Sequence, residues 1–255
     1  MYQVGVRPSF ATGFAQWPGM SEYPQLWEGL VAAYAPFLGI TGNKVFDLSG
    51  NGLTGTISGA IWTVGNFGPA LEFDGSDGKV TINDSTLIQN IFTGGGTISV
   101  WINPHSDGEG DYGRIFDKSA ENTVGWWLIV NSEAGGYVKT RLGRYSDGDN
   151  GAWETTNAVI PIGTLTHLAV TFDDSNINNL PSIYINGIVQ AITEMANPSG
   201  NYLSDAGQNI TIGNNETSPS NRTFDGLIDV PALYNRILSA SEIALFYEMM
   251  MRMAG

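Results

Sequence analysis

The sequence predicts an all-β fold, a two-sheet antiparallel sandwich with one short C-terminal helix. Short runs from Ala70 to Ile212 alternate apolar and polar residues with period two. Gly, Asn, Ser and Pro bound these runs, and only one segment, near the C-terminus, has helical spacing. Alternation over four to eight residues between turn formers is the mark of a half-buried strand. A doubly wound nucleotide fold is excluded, because it needs strands alternating with helices.

The elements follow in chain order. Residues 1–40 form an aromatic-rich arm without periodicity, broken by Pro8, Pro18, Pro24 and Pro36. Leu26–Pro36 is expected to hold the first strand, ending near Pro36. Residues 41–255 form the main domain. "ALEFDG" aligns Leu71 and Phe73, and "KVTI" aligns Val80 and Ile82. "TISVWINP" turns Ile98, Val100 and Ile102 inward and Ser99, Trp101 and Asn103 outward. "HLAVTFDD", "SIYING" and "NITIGN" align Leu168, Val170 and Phe172, then Ile183 and Ile185, then Ile210 and Ile212. "LSASEIALFYEMMMRM" opens on Ser239 with Glu242 three residues on, a capping box, and puts Ile243, Phe246, Tyr247 and Met250 on one face. That face is expected to pack on the domain. Met249–Met251 and Met253 are expected to dock on another subunit, since methionine adapts to irregular contacts.

Composition narrows the function. The formal net charge is −14 and no Lys/Arg run exists, so a nucleic-acid surface is not expected. The absence of cysteine removes disulfides, thiolate catalysis and Cys-ligated zinc. The first twenty residues lack the basic start and apolar core of a secretory signal. No apolar run approaches the ~18 residues of a membrane span, so no membrane insertion is expected.

Six segments in order resemble the laminin-G-like, or concanavalin-A-like, jelly-roll family. They are "LEFDGSDGKVTI", "GTISVWINP", "GTLTHLAVTFDDS", "PSIYINGIVQ", "NITIGNN" and "FDGLIDVPALYNRILSASEIALFY". The resemblance spans about Leu26 to Tyr247 and implies a jelly roll. Two positions depart from it. Leu165-Thr166 stands where a Trp often precedes the His, and Pro231 follows Val230. Proline donates no ladder bond, so the final strand is expected to be an edge or to bend there. The run from Pro24 to Ile57 also resembles the start of such proteins encoded by bacteriophages. That likeness implies a virion component, made in a host cytoplasm and partnered by other virion proteins or by itself through the arm and the Met-rich tail. The alternative is a free, extracellular carbohydrate-binding lectin of a bacterium.

"DLSGNGLTGTISG" (Asp47–Gly59) lacks the Lys and the following helix of a phosphate loop. It reads as a turn, or as a calcium loop to which Asp47 and Asn51 bring oxygens. The resemblance adds Asp229 to that candidate structural calcium site. Among catalytic patterns, "EFDGSD" offers Glu72 and Asp74 without the further Glu of sandwich glycosidases, and no Gly-x-Ser-x-Gly elbow occurs. His167 reads as a sheet residue, and His105 with Asp107, Glu109 and Asp111 as a solvated loop. The chain is therefore expected to be non-catalytic. Binding of cell-surface glycans is expected at the loop Arg144–Asn157, through Tyr145, Asp147, Asp149, Asn150 and Trp153. Trp126 and Trp127 are adjacent, so one faces the core and the other is free to join a platform with Trp101, Tyr145 or Trp153.

Overall fold

A computed structural model describes residues 23–34, 39–120, 123–216 and 222–254. The arm up to residue 22 and the expected strand end at Pro36 lie outside the described residues. The strands are β1 (Leu30–Ala33), β2 (Lys44–Val45), β3 (Gly55–Ser58), β4 (Ile61–Val64), β5 (Pro69–Asp74), β6 (Lys79–Ile82), β7 (Gly96–Pro104), β8 (Gly113–Ala120) and β9 (Val124–Ala134). They continue with β10 (Tyr137–Arg144), β11 (Gly151–Thr155), β12 (Ile160–Pro161), β13 (Thr166–Phe172), β14 (Ser182–Ile185), β15 (Ile188–Val189), β16 (Ile192–Ala196), β17 (Ile210–Ile212) and β18 (Asp225–Tyr234). Helix α1 (Ala240–Met253) follows.

All described pairings are antiparallel. Sheet A has the order β15-β14-β13-β7-β18-β5-β4, with β1 also on β18. Sheet B has the order β16-β11-β10-β9-β8-β17-β6-β3-β2, with β12 also on β10. The predicted apolar alternations meet between the sheets. Phe73, Ile98, Val100, Ile102, Leu168, Val170 and Phe172 face Val80, Ile82, Phe116, Trp126, Leu128, Leu142, Trp153 and Ile212 across one core.

A second core lies on the other side of sheet A. The 3-10 turn Pro24–Trp27 and α1 cover it, burying Leu26, Trp101, Ala169, Tyr234, Ile243, Phe246, Met249 and Met250. Trp101 thus points out of the first core, as the alternation requires, yet is 1% exposed because α1 lies over it. The cap of α1 is the expected one, with Ser239 and Glu242 bonding each other's backbone N–H. Met249 and Met250 are spent on this packing, and Met251 is exposed.

The edge-or-bend expectation at Pro231 resolves to a bend. β18 is interior, bonded to β7 on one side and to β5 and then β1 on the other. Its register slips between Asp229 and Ala232, and Val230 adopts a φ of +47°. This bulge takes Pro231, which has no N–H, out of the ladder at the point where β5 gives way to β1. The carbonyl of Pro231 accepts a bond from the Tyr34 amide.

Candidate functional site

The glycine-rich stretch folds as a turn braced by a carboxylate. Asp47 Oδ1 accepts the amides of Ala33 and Ser49, and Oδ2 accepts the amide of Leu53 and the Ser49 hydroxyl. Asn51 donates its carboxamide N–H to the carbonyls of Leu30 and Val31. Asp47 and Asn51 therefore fasten the loop to β1. The groups around Asp47 are N–H and O–H donors, whereas calcium needs an oxygen cage. Asp229 is 4% exposed, its Oδ2 has no partner, and burial pushes its carboxyl up to about 7. It borders a cavity of about 40 Å³ whose walls include Tyr34, Trp62 and Phe73. Among the described residues, no group of three or more His, Cys, Asp or Glu is placed to hold a metal ion. The donor set does not fit the expected calcium.

The expected glycan loop divides. Trp153 is fully buried in the core, packed on Phe172 at 5.3 Å, and cannot be a platform. The reason is its place on β11, where the inward parity falls on 151, 153 and 155. Asp147 accepts from the backbone and side chain of Asn201, which holds its carboxyl below the usual range. Asp149 accepts from Ser199, and the Asn150 side chain accepts from the Ser146 amide. Asp147 and Asp149 zip the hairpin tip to the loop before β17, and Asn150 closes the tip on itself. The zipped loops wall an open cleft of about 570 Å³ that includes Arg144, Asp174, Asn176, Asn201 and Tyr202. Its charged pair is internally satisfied: Arg144 donates to Asp174 and to the Gly125 carbonyl, and Asp174 also accepts from Thr93. Fully buried Lys118 on β8 reaches Asp84 at 2.9 Å and Asp205 at 3.6 Å, and so ties two loops to that strand.

The outer face of sheet B is different. Residues of opposite parity to the core form its rows: Arg114, Asp117 and Ser119 on β8, Trp127, Ile129 and Asn131 on β9, Lys139, Arg141 and Gly143 on β10, and Glu154 on β11. Trp127 lies flat over Gly143, where a Cβ would fall 2.2 Å from its ring, so only glycine admits it. The Arg114 guanidinium stands 4.6 Å over the same ring and 2.9 Å from Asp117. Tyr145, the one expected binding residue that reaches this face, continues the row of Gly143, is 8% exposed, and acts on Arg114 electrostatically.

Polar atoms without partners cluster on this face. They are Nη1 of Arg114, Oδ1 of Asn131 and Oδ1 of Asn215, while Nε of Arg114 and Oδ2 of Asp117, 2.9 Å apart, meet as an ion pair. All four residues are at most 6% exposed. Burial raises Asp117 to about 6, against the opposing pull of Arg114 and Ser119. Such groups are nearly always satisfied in folded proteins, by protein, water or ligand. Beside them, Glu154 accepts from Lys139, Arg141 and Asn131, and its carboxyl is held low by those bonds despite burial. Sequence reasoning missed this face. The signal was "VKTRLGR", where Lys139 and Arg141 occupy alternate positions inside a strand rather than its ends.

The two histidines serve structure. His167 is fully buried under α1, shares a bond with Ser99, and is pushed down to about 3 by burial. Around His105, Glu109 accepts the amides of Arg222 and Thr223, and Asp107 accepts that of Glu133.

The family model for the concanavalin A-like lectin/glucanases superfamily matches residues 74–244. The chain belongs to that superfamily. Among solved structures it is similar to the binding domain of Paraclostridial Mosquitocidal Protein 1, at 17% identity and a TM-score of 0.66, covering 88% of this chain and 53% of that one. It is also similar to domain 4 of AbnA, a GH43 extracellular arabinanase from Geobacillus stearothermophilus, solved with arabinotriose. That match has 21% identity and a TM-score of 0.59, covering 86% of this chain and 98% of that one. A third is the binding domain of Botulinum Neurotoxin DC in complex with SialylT, at 14% identity and a TM-score of 0.59, covering 88% and 52%. The chain spans about half the length of the two toxin domains. No curated protein matches it in sequence. Among the described residues, no helix of this superfamily member is long and apolar enough to cross a membrane.

Proposed function

We propose that this chain is a non-catalytic carbohydrate-binding module that receives a saccharide on the outer face of sheet B. The observation that carries the reading is the Trp127 ring under the Arg114 guanidinium, with buried polar atoms of Arg114 and Asn131 in the same outer rows left without hydrogen-bond partners. A sugar supplies what they lack: hydroxyls that both donate and accept, and an apolar ring edge for the aromatic. Two of the similar domains were solved with saccharides, which supports the same reading.

Spacing supports the absence of glycoside hydrolysis on this face. Asp117 and Glu154 are the carboxylates in the central rows of this face, and they sit three strands apart, on β8 and β11. Three steps of ~4.8 Å separate them by about 14 Å, beyond the ~9.5 Å that glycoside hydrolysis tolerates between its two carboxyl groups. Titration calorimetry against a glycan panel tests the reading. At least one saccharide binds the wild type, and Trp127→Ala weakens it by about tenfold or more. Release of reducing ends, or no binding across the panel, overturns it.

We further propose that the module is displayed on a phage particle, on the support of the Pro24–Ile57 resemblance. Mass spectrometry of purified particles finds the chain there, and its absence from them defeats this placement.

A further inference from the structure

Resting on the carbohydrate-binding reading, we propose that the saccharide is acidic, a sugar bearing a carboxylate that settles against Arg114, Lys139 and Arg141. Charge segregation is the first support. The chain has 25 Asp and Glu against 11 Lys and Arg, yet the outer rows of sheet B reverse that balance. Lys44, Lys79, Arg114, Lys139 and Arg141 all lie there by strand parity among the described residues. Their acidic company in the same strands is Asp117 and Glu154, with Glu133 at the hairpin end of β9. A cationic face on a strongly anionic protein draws acidic ligands to one place and repels them elsewhere.

The pairing pattern is the second support. Lys139 and Arg141 share the single carboxylate of Glu154, at 2.8 and 2.6 Å, which leaves one positive charge in excess. Glu216 only approaches Lys79, at 3.8 Å. Asp117 gives Oδ1 to the amide and hydroxyl of Ser119 and sets Oδ2 against Arg114. Even so, Nη1 of Arg114 has no hydrogen-bond acceptor, and Nε meets Asp117 only as an ion pair. A planar carboxylate is the group that matches a guanidinium fork. A neutral sugar would leave the excess charge unanswered.

Calorimetry with two matched pairs tests this: trigalacturonic acid against its methyl ester, and sialyllactose against lactose. The acidic member of at least one pair binds about tenfold or more tighter than its neutral partner. Raising sodium chloride from about 0.05 to about 0.5 M weakens the acidic ligand and leaves the neutral one unchanged. Lys139→Gln, at a partly exposed position that leaves Arg141 on Glu154, lowers both the acidic affinity and its salt dependence. Arg114→Gln abolishes the acidic preference, with circular dichroism checking its fold. Equal binding of both members of each pair, or binding indifferent to salt, overturns the acidic ligand and leaves the carbohydrate-binding module standing. Silence across these ligands and the wider glycan panel overturns both.

Discussion

The two sheets of this sandwich turn opposite chemistries outward. Sheet A hides its outer side under the 3-10 turn and α1, so Trp101, Tyr234 and His167 are buried although they point away from the main core. Sheet B carries no helix among the described residues, and its outer side is polar and cationic. Each side holds a large aromatic on a strand near the middle of its sheet, Trp101 and Trp127. One is an anchor for packing under α1 and the other stacks against the Arg114 guanidinium. The difference lies in what arrives from elsewhere in the chain, not in the strands.

The sharpest way to break this contrast is to truncate both tryptophans. Trp101→Ala removes about 3–5 kcal/mol of stability by opening a cavity under α1, read as a large fall in melting temperature. Trp127→Ala lowers stability by about 1 kcal/mol, the worth of its contact with Arg114, while binding falls. Equal losses of stability from the two would show that both sides are core.

Comparable in size is the loop tie at the cleft end. Lys118→Ala strands Asp84 and Asp205 and costs about 3–5 kcal/mol, whereas Lys118→Met with both acids made Asn recovers most of it.

The buried titrating groups of the covered side give a pH signature. Asp229 is raised from 3.8 to about 7, so its contribution to stability is full below pH 4 and is lost as pH rises through 7. His167 is lowered from 6.5 to about 3, so its contribution is full above pH 6.5 and is lost as pH falls toward 3. The two slopes oppose each other between about pH 4 and 6.5. Asp229→Asn removes one, so the variant gains stability as pH rises across that window and outlasts the wild type at pH 8 in urea denaturation. An unchanged profile would mean that Asp229 is solvated.

Smaller effects finish the series. Ser239→Ala costs about 1 kcal/mol by uncapping α1 and leaves saccharide affinity on sheet B untouched. EDTA leaves the melting temperature where it was, because Asp47 is held by amides and a hydroxyl; a fall would restore the calcium reading of that loop.

Much of the fold was legible because period-two apolar runs are local. Leu71 and Phe73, Val100 and Ile102, and Val170 and Phe172 all landed in the core, and the Ser239–Glu242 cap formed as written. The candidate site was far less legible. Asp147, Asp149 and Asn150 carry ligand-like chemistry, but Asn201 and Ser199, some fifty residues away, consume that of the two aspartates, and Ser146 takes up Asn150. Trp153 looked like a loop aromatic until the start of β11 at Gly151 fixed its inward parity.

The sequence alone determined the strands, their inward faces, the capped helix and the acidic, cysteine-free character of the chain, because each depends on neighbours a few residues apart. Tertiary structure decided the rest: that Trp101 is covered and Trp127 is not, that Asp47 braces a turn, and that Arg114, Lys139 and Arg141 share one face. Those outcomes depend on which distant strands become neighbours, and pairing across a sheet is written in no single stretch of the chain.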